Sequence, residues 1–120
     1  MLNFNSILIF SENPKKLSEF YKKVFQAEPI WEQGDYTGFK VGDGSVMIGP
    51  HDKVHGASTN PERIIINFET NEVEKEFERI KNIGATVIAK PYHPGEDQKM
   101  MLATFADSNG NFFQLATPMK

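Results

Sequence analysis

Asp107-Ser108-Asn109-Gly110-Asn111-Phe112-Phe113-Gln114-Leu115 is the stretch that decides the fold. Asn-Gly between two runs of strand-forming residues, Leu102 to Phe105 and Asn111 to Leu115, is the strongest short signal for a tight β-hairpin. Strand alternation places Phe113 and Leu115 on one face and Phe112, Gln114 and Ala116 on the other. Ahead of this hairpin the sequence predicts a strand over Arg63 to Phe68 and a helix over Glu72 to Ile83, capped by Asn71 and stopped by Gly84. A strand over Thr86 to Ala89 and a loop from Pro91 to Gln98 follow.

The same order of elements occupies the first half. Phe4 to Phe10 predicts a buried strand, and Asn13-Pro14 supplies an N-cap followed by proline at the first helical position. Leu17, Phe20, Tyr21, Val24 and Phe25 then form one apolar stripe at helical spacing. Strands are predicted over Glu28 to Trp31 and Tyr36 to Val41, with a turn at Gln33-Gly34, and Gly42-Asp43-Gly44 returns the chain into Ser45 to Ile48. Ser6 lies 59 residues before Ile65, Asn13 lies 58 before Asn71, and Gly44 lies 66 before Gly110. The extra residues in the second copy fall around Tyr92-His93-Pro94-Gly95. The chain is therefore read as a duplication: module one about 4–50, a Gly-, Ser- and Pro-containing linker about 51–62, and module two about 63–118, forming a single domain over 1–120.

Composition excludes several functions. The 120 residues carry a net charge of -3 and no cysteine, which removes disulfides, thiolate nucleophiles and Cys-type metal centres and offers no basic surface for nucleic acid. Met1 to Phe10 has only a four-residue apolar run, far short of a signal peptide or membrane span, so a cytoplasmic protein without membrane contact is expected. Phosphate-binding glycine loops, serine-nucleophile elbows and paired-carboxylate signatures are missing.

Ile7 to Pro14 leading to Phe20-Tyr21, the stop Ile83-Gly84-Ala85, and Phe105-Ala106-Asp107-Ser108-Asn109-Gly110-Asn111 together resemble the vicinal oxygen chelate superfamily of glyoxalases, bleomycin resistance proteins and extradiol dioxygenases. The resemblance spans nearly the whole chain and implies an α+β fold. Two tandem βαβββ modules would form a curved mixed sheet with a concave ligand cleft, commonly in a homodimer. Metal-using members of this family place histidine near the start of each module's first strand and glutamate or histidine near the end of its last. Carried over, those positions fall on Ser6, Ile65 and Gln114, with Ile48 the fourth by the Gly44 to Gly110 offset; a shift of one residue would give Asn5, Met47, Ile64 or Phe113 instead. None of these is imidazole or carboxylate, so no metal and no cofactor is expected.

Ser6, Leu8 and Phe10 are expected to share the cleft face with Ile48, Ile65, Asn67, Phe112 and Gln114, while Ile7, Ile9, Ile66 and Phe68 pack beneath the helices. Such a lining suits a planar or aromatic molecule oriented by Asn67 and Gln114, or it simply fills a core in which both amides bond to backbone. Trp31 and Tyr36 are candidates for stacking on a ligand. His51 and His55 have the spacing of a helical metal pair, but Gly49, Pro50 and Gly56 argue for a solvated loop. His93 sits in the inserted loop that covers the cleft in this family. Two functions follow. One is a metal-independent binder of an aromatic or antibiotic-like molecule, lined by Ser6, Phe10, Trp31, Ile48, Ile65, Asn67, His93, Phe112 and Gln114, with catalytic residues unknown. The other is a glyoxalase-like lyase or isomerase, or a dioxygenase-related enzyme, with a non-standard metal site at His51, His55 or His93, or a metal-free catalyst using His93 and Glu96.

Overall fold

The computed structural model describes residues 1–119. Its chain folds as two compact units, Met1–Gly56 and a second beginning at Ala57. The first unit runs β1 (Ser6–Phe10), α1 (Pro14–Phe25), β2 (Trp31–Gln33), β3 (Tyr36–Val41) and β4 (Gly44–Gly49). Asn13 Oδ1 accepts the Lys16 amide at 3.3 Å, which caps α1 as its sequence requires. The helix ends on Gln26 in the left-handed region (φ 52°), with the Ala27 amide bonded back to Lys22 O. β2 begins three residues later than the expected Glu28. Pro29 has no amide hydrogen to contribute, and the reversal is made at Gly34 (φ 61°) and Asp35.

Four strands form a mixed sheet in the order β1-β4-β3-β2, with β1 parallel to β4. Register decides the faces. Ile7 pairs Val46 and Ile9 pairs Ile48 across β1 and β4, and Val46 pairs Phe39 across β4 and β3. These side chains point toward α1, where Leu17, Tyr21 and Val24 meet them to make the unit's core. Leu8, Met47 and Gly38 occupy the opposite, helix-free face.

The second unit repeats this pattern with β5 (Ile66–Glu69), α2 (Val73–Ile83), β6 (Thr86–Tyr92), β7 (Leu102–Ala106) and β8 (Phe112–Ala116). Its sheet has the order β5-β8-β7-β6, with β5 parallel to β8. Phe105 stacks between Phe77 of α2 and Phe113 of β8, with centroids 5.2 and 5.5 Å away, so the aromatic side of this sheet is the one α2 covers. Glu72, not Asn71, occupies the N-cap of α2 and makes no side-chain cap; the Thr70 hydroxyl accepts the Glu72 amide instead, at 3.0 Å. β6 runs on through Pro91, beyond the expected Ala89. A proline is tolerated there because β6 is an edge strand with register irregularities between Val87 and Tyr92.

The final hairpin forms, but by a longer turn than Asn-Gly suggests. A tight two-residue turn of the favoured kind would need positive φ at both central residues, whereas only Gly110 has it, at 79°. Asp107 to Asn111 form a five-residue connection, closed by Asp107 N–H to Asn111 O at 2.8 Å and Gly110 N–H to Asp107 O at 3.0 Å. The buried Asp107 carboxylate fills the turn: Oδ1 accepts the amides of Asn109 and Asn111 at 2.8 and 3.0 Å, and the Asn111 side chain donates to both oxygens. In the first unit the equivalent β3–β4 turn is only Gly42-Asp43. The two units together carry two four-stranded mixed sheets and two helices, an α+β fold of repeated βαβββ order.

Candidate functional site

The difference in turn length moves one expected site residue. Leu8 pairs Met47 and Asn67 pairs Gln114, and Leu8 and Asn67 are 59 residues apart, so Met47, not Ile48, is the counterpart of Gln114. Ile48 is a correction: it is 0% exposed and lies on the α1 side of its sheet with Ile9 and Val46. Counting from Gly44 and Gly110 aligns the first residue of β4 with the fourth residue of a five-residue turn, one short of its true counterpart, Asn111. The resulting one-residue slip exchanges the faces.

On the helix-free face of the first sheet, register brings together Ser6, Leu8 and Phe10 of β1, Met47 and Gly49 of β4, Tyr36 and Gly38 of β3, and Trp31 of β2. Leu8, Trp31 and Tyr36 are 56%, 41% and 43% exposed, a set of large apolar groups held open to a visitor. Two glycines make the arrangement. A Cβ on Gly49 would collide with the Tyr36 ring, and one on Gly38 would lie 2.9 Å from Met47 Sδ and 3.6 Å from Trp31 Cε3. The missing side chains are the seats on which these groups rest. The Tyr36 hydroxyl donates to Pro50 O at 3.3 Å, which fixes the ring at its far end. Phe10 meets the His51 ring edge-on at 5.1 Å.

On the helix-free face of the second sheet, Phe112 and Gln114 of β8 lie beside Asn67 of β5 and Thr104 and Ala106 of β7. Gln114 Nε2 donates to Thr104 Oγ1 at 3.0 Å, and Thr104 is only 5% exposed. Gln114 therefore has a side-chain partner of its own, and the backbone pairing weighed above for it is not used. Asn67 is exposed, and Ile65, inside the expected strand Arg63 to Phe68, lies just before the observed β5.

Two of the histidines, His51 and His55, line one cavity of the first unit, and His93 lies in the second unit. His51 Nδ1 accepts the Lys53 amide at 3.1 Å; since that lone pair is used, its 3.3 Å approach to Asp52 is not an ion pair. His55 Nδ1 faces Glu12 Oε2 at 3.2 Å while Gly56 N–H donates to Glu12 Oε1 at 3.1 Å, closing a loop cavity of about 380 Å³ in the first unit. The Gly56 amide, helped by His55, holds the Glu12 carboxyl below its ordinary pKa. His93 Nδ1 lies 2.8 Å from Met100 O, within the loop joining β6 to β7. Among the described residues no three His, Cys, Asp or Glu side chains stand close enough to hold a metal ion.

The family positions fare no better as ligands. Ser6, Met47, Ile65 and Gln114 supply a hydroxyl, a thioether, an alkyl group and an amide already donating to Thr104, which does not fit a hard divalent cation. Sequence reasoning names Met47 only as the one-residue alternative to Ile48, and does not single out Thr104 or the two seating glycines. Thr104 could have been found once the five-residue turn was known, because that turn sets it opposite Gln114.

The family model described as "Glyoxalase/Bleomycin resistance protein/Dioxygenase superfamily" matches residues 3–115. No curated protein matches the chain in a sequence search. Among solved structures, a glyoxalase/bleomycin resistance protein/dioxygenase family enzyme from Burkholderia phytofirmans PsJN is similar with a TM-score of 0.78 at 20% identity, covering 96% of this chain and 98% of that one. TioX from Micromonospora sp. ML1 gives 0.73 at 14% identity, over 98% and 99% of the two chains. The fosfomycin resistance protein FosX from Mesorhizobium loti gives 0.67 at 20% identity, over 99% and 92%. At these identities the structures establish the fold.

Proposed function

Because the chain belongs to the glyoxalase/bleomycin resistance protein/dioxygenase superfamily, we propose that it is a small-molecule-binding protein that sequesters an aromatic or antibiotic-like ligand without a metal ion and without converting it. The observation that carries this reading is the glycine-seated group of Trp31, Tyr36, Met47 and Leu8 on the helix-free face of the first sheet. Flat aromatic rings beside a polarisable thioether bind planar molecules by stacking and dispersion, each good aromatic pair adding about 1 kcal/mol beyond area burial. Phe10 and Ser6 border this group. In the second unit Asn67, Phe112, the Gln114–Thr104 pair, Ile65 and His93 are that unit's own ligand-facing residues in this reading.

Chemistry is disfavoured by the same side chains. A general base needs a titratable group poised at the reacting atoms, and His51, whose ring meets Phe10 at the border of the aromatic group, spends Nδ1 on the Lys53 amide. The fosfomycin resistance relative supports a protective role by likeness of fold only. A cytoplasmic homodimer completes the proposal. Exposed Leu2, Phe4 and Ile64 are apolar side chains that a second copy would cover.

Trp31 is the chain's one tryptophan, so its fluorescence reports on the site directly. Titration with a panel of aromatic antibiotics is expected to give a saturable change with at least one compound, lost in Leu8→Asp, and mass spectrometry should return that compound intact. The absence of a saturable response across the panel would sink the binding reading, and a converted product would replace it with an enzyme. Light scattering of the purified protein checks the dimer.

A further inference from the structure

The four strands of the first sheet hold two charged residues, Glu32 and Lys40. Register puts them on opposite faces. Glu32 pairs Thr37 and, with Phe39, belongs to the α1 side of the sheet. Lys40 pairs Ser45, and Ser45 pairs Ser6, so an ammonium and two hydroxyls form one cross-strand row on the helix-free face. The next row on that face is the aromatic group itself: Leu8 pairs Met47, Met47 pairs Gly38, and Gly38 pairs Trp31. Two residues of strand separate the rows, a distance of about 7 Å.

All three polar groups are accessible and unengaged. Lys40 is exposed and the two serines are half-buried. None of the three side chains has a hydrogen-bond or ion-pair partner among the described residues, and Asp43, in the β3–β4 turn at the same end of the sheet, makes no ion pair with Lys40. A lysine on a strand is ordinarily just solvated. This one is the single charge on a face whose adjacent row, with Leu8 56% and Trp31 41% exposed, is apolar and open. An ammonium only donates hydrogen bonds, and hydroxyls can donate alongside it, so the row is complementary to an acceptor with more than one oxygen and repels a cation. A ring laid on the apolar row would also exclude water from one side of that contact, which strengthens it.

We propose that the molecule bound on this face is an aromatic carboxylate, whose ring lies over Met47 between Leu8 and Trp31 and whose carboxylate accepts hydrogen bonds from Lys40 Nζ and from the Ser45 and Ser6 hydroxyls. This rests on the reading that the face binds an aromatic molecule, and adds to it the charge of the ligand and the residues that select it. A carboxylate carried on a ring over Met47 projects toward the serine row, and the flexible four-carbon stem of Lys40 spans the rest of the gap.

The probe is 2-naphthoate, with 2-naphthamide as its uncharged match, each followed by backbone amide shifts in two-dimensional NMR of the full chain. Saturating shifts are expected at Trp31, Lys40, Ser45 and Met47 with the naphthoate, and binding of the naphthamide should be about tenfold weaker, the difference between a charge-assisted hydrogen bond and a neutral one. Lys40→Met should bring the naphthoate down to the affinity of the naphthamide and leave naphthamide binding unchanged, which also reports that the variant is folded. Ser6→Ala combined with Ser45→Ala should weaken the naphthoate about fivefold, and added salt should weaken the naphthoate alone. Equal binding of the two compounds, or a Lys40→Met variant that holds the naphthoate as the parent does, overturns the carboxylate assignment and leaves the aromatic reading in place. Saturating shifts with neither compound overturn it as well, and the antibiotic titration at Trp31 then decides the aromatic reading by itself.

Discussion

At Gln114 a single side chain separates two kinds of chemistry. An amide donates to the Thr104 hydroxyl at 3.0 Å, whereas a carboxylate there could only accept. The pair is mutually satisfied in a place where Thr104 is almost wholly buried, so breaking it from one side strands the other. Gln114→Leu is expected to cost about 1–2 kcal/mol, and adding Thr104→Val should recover most of that, because removing both partners of a buried hydrogen bond is nearly neutral. Denaturant midpoints at constant slope measure both; a double variant as unstable as the sum of the singles would show that the two side chains act independently. Glu12 makes a different single-residue device, tying the Gly56 amide and His55 to the end of β1. Its carboxyl pKa is depressed in the fold, so this tie contributes stability above the unfolded glutamate value of about 4.3 and loses it as pH falls through the lower folded value. The amide proton shift of Gly56 should titrate with a midpoint below about 4.3; a midpoint at or above the ordinary value would mean that the carboxylate is not held there.

Among the elements, turns are where sequence pattern stopped being sufficient. Strand alternation and the helical stripe of Leu17, Tyr21 and Val24 were legible because period alone sets which face is buried, and the Asn13-Pro14 start of α1 was legible because that chemistry is local. The second helix was harder, since its capping residue is displaced from Asn71 to Glu72 and the bond is supplied by Thr70. Asn109-Gly110 announced a hairpin, yet its length depends on Asp107, whose carboxylate gathers four hydrogen bonds and stabilises a five-residue turn that the dipeptide does not reveal. That hidden length is what exchanged Ile48 for Met47. Trp31 and Tyr36 stood out as aromatics, but their glycine seats depend on cross-strand register, which no local pattern contains. Asp107→Ala should cost about 3 kcal/mol by stranding the Asn109 and Asn111 amides, and Asp107→Asn distinctly less, because an amide oxygen still accepts. Equal losses in chemical denaturation would assign the effect to charge instead of turn bonding.

For the whole molecule, the informative fact is that one βαβββ plan is used twice with different contents on its helix-free faces. Equivalent strands carry Leu8 and Met47 in one copy and Asn67 and Gln114 in the other, so the duplication repeats architecture without repeating chemistry. Neither copy supplies imidazole or carboxylate at the family's ligand positions on Ser6, Met47, Ile65 and Gln114, and both cores are built mainly from apolar side chains. A divalent cation that bound the native state alone, at a thousandfold excess over its dissociation constant, would add about 4 kcal/mol and raise the melting temperature by several degrees. Melting curves in millimolar zinc, in manganese and in chelator are therefore expected to coincide. A rise in either metal that vanishes on replacing His51, His55 or His93 would locate a site away from the family positions and reopen the enzyme reading, whereas coincident curves would leave metal-free binding at the aromatic face of the first sheet as the reading to test.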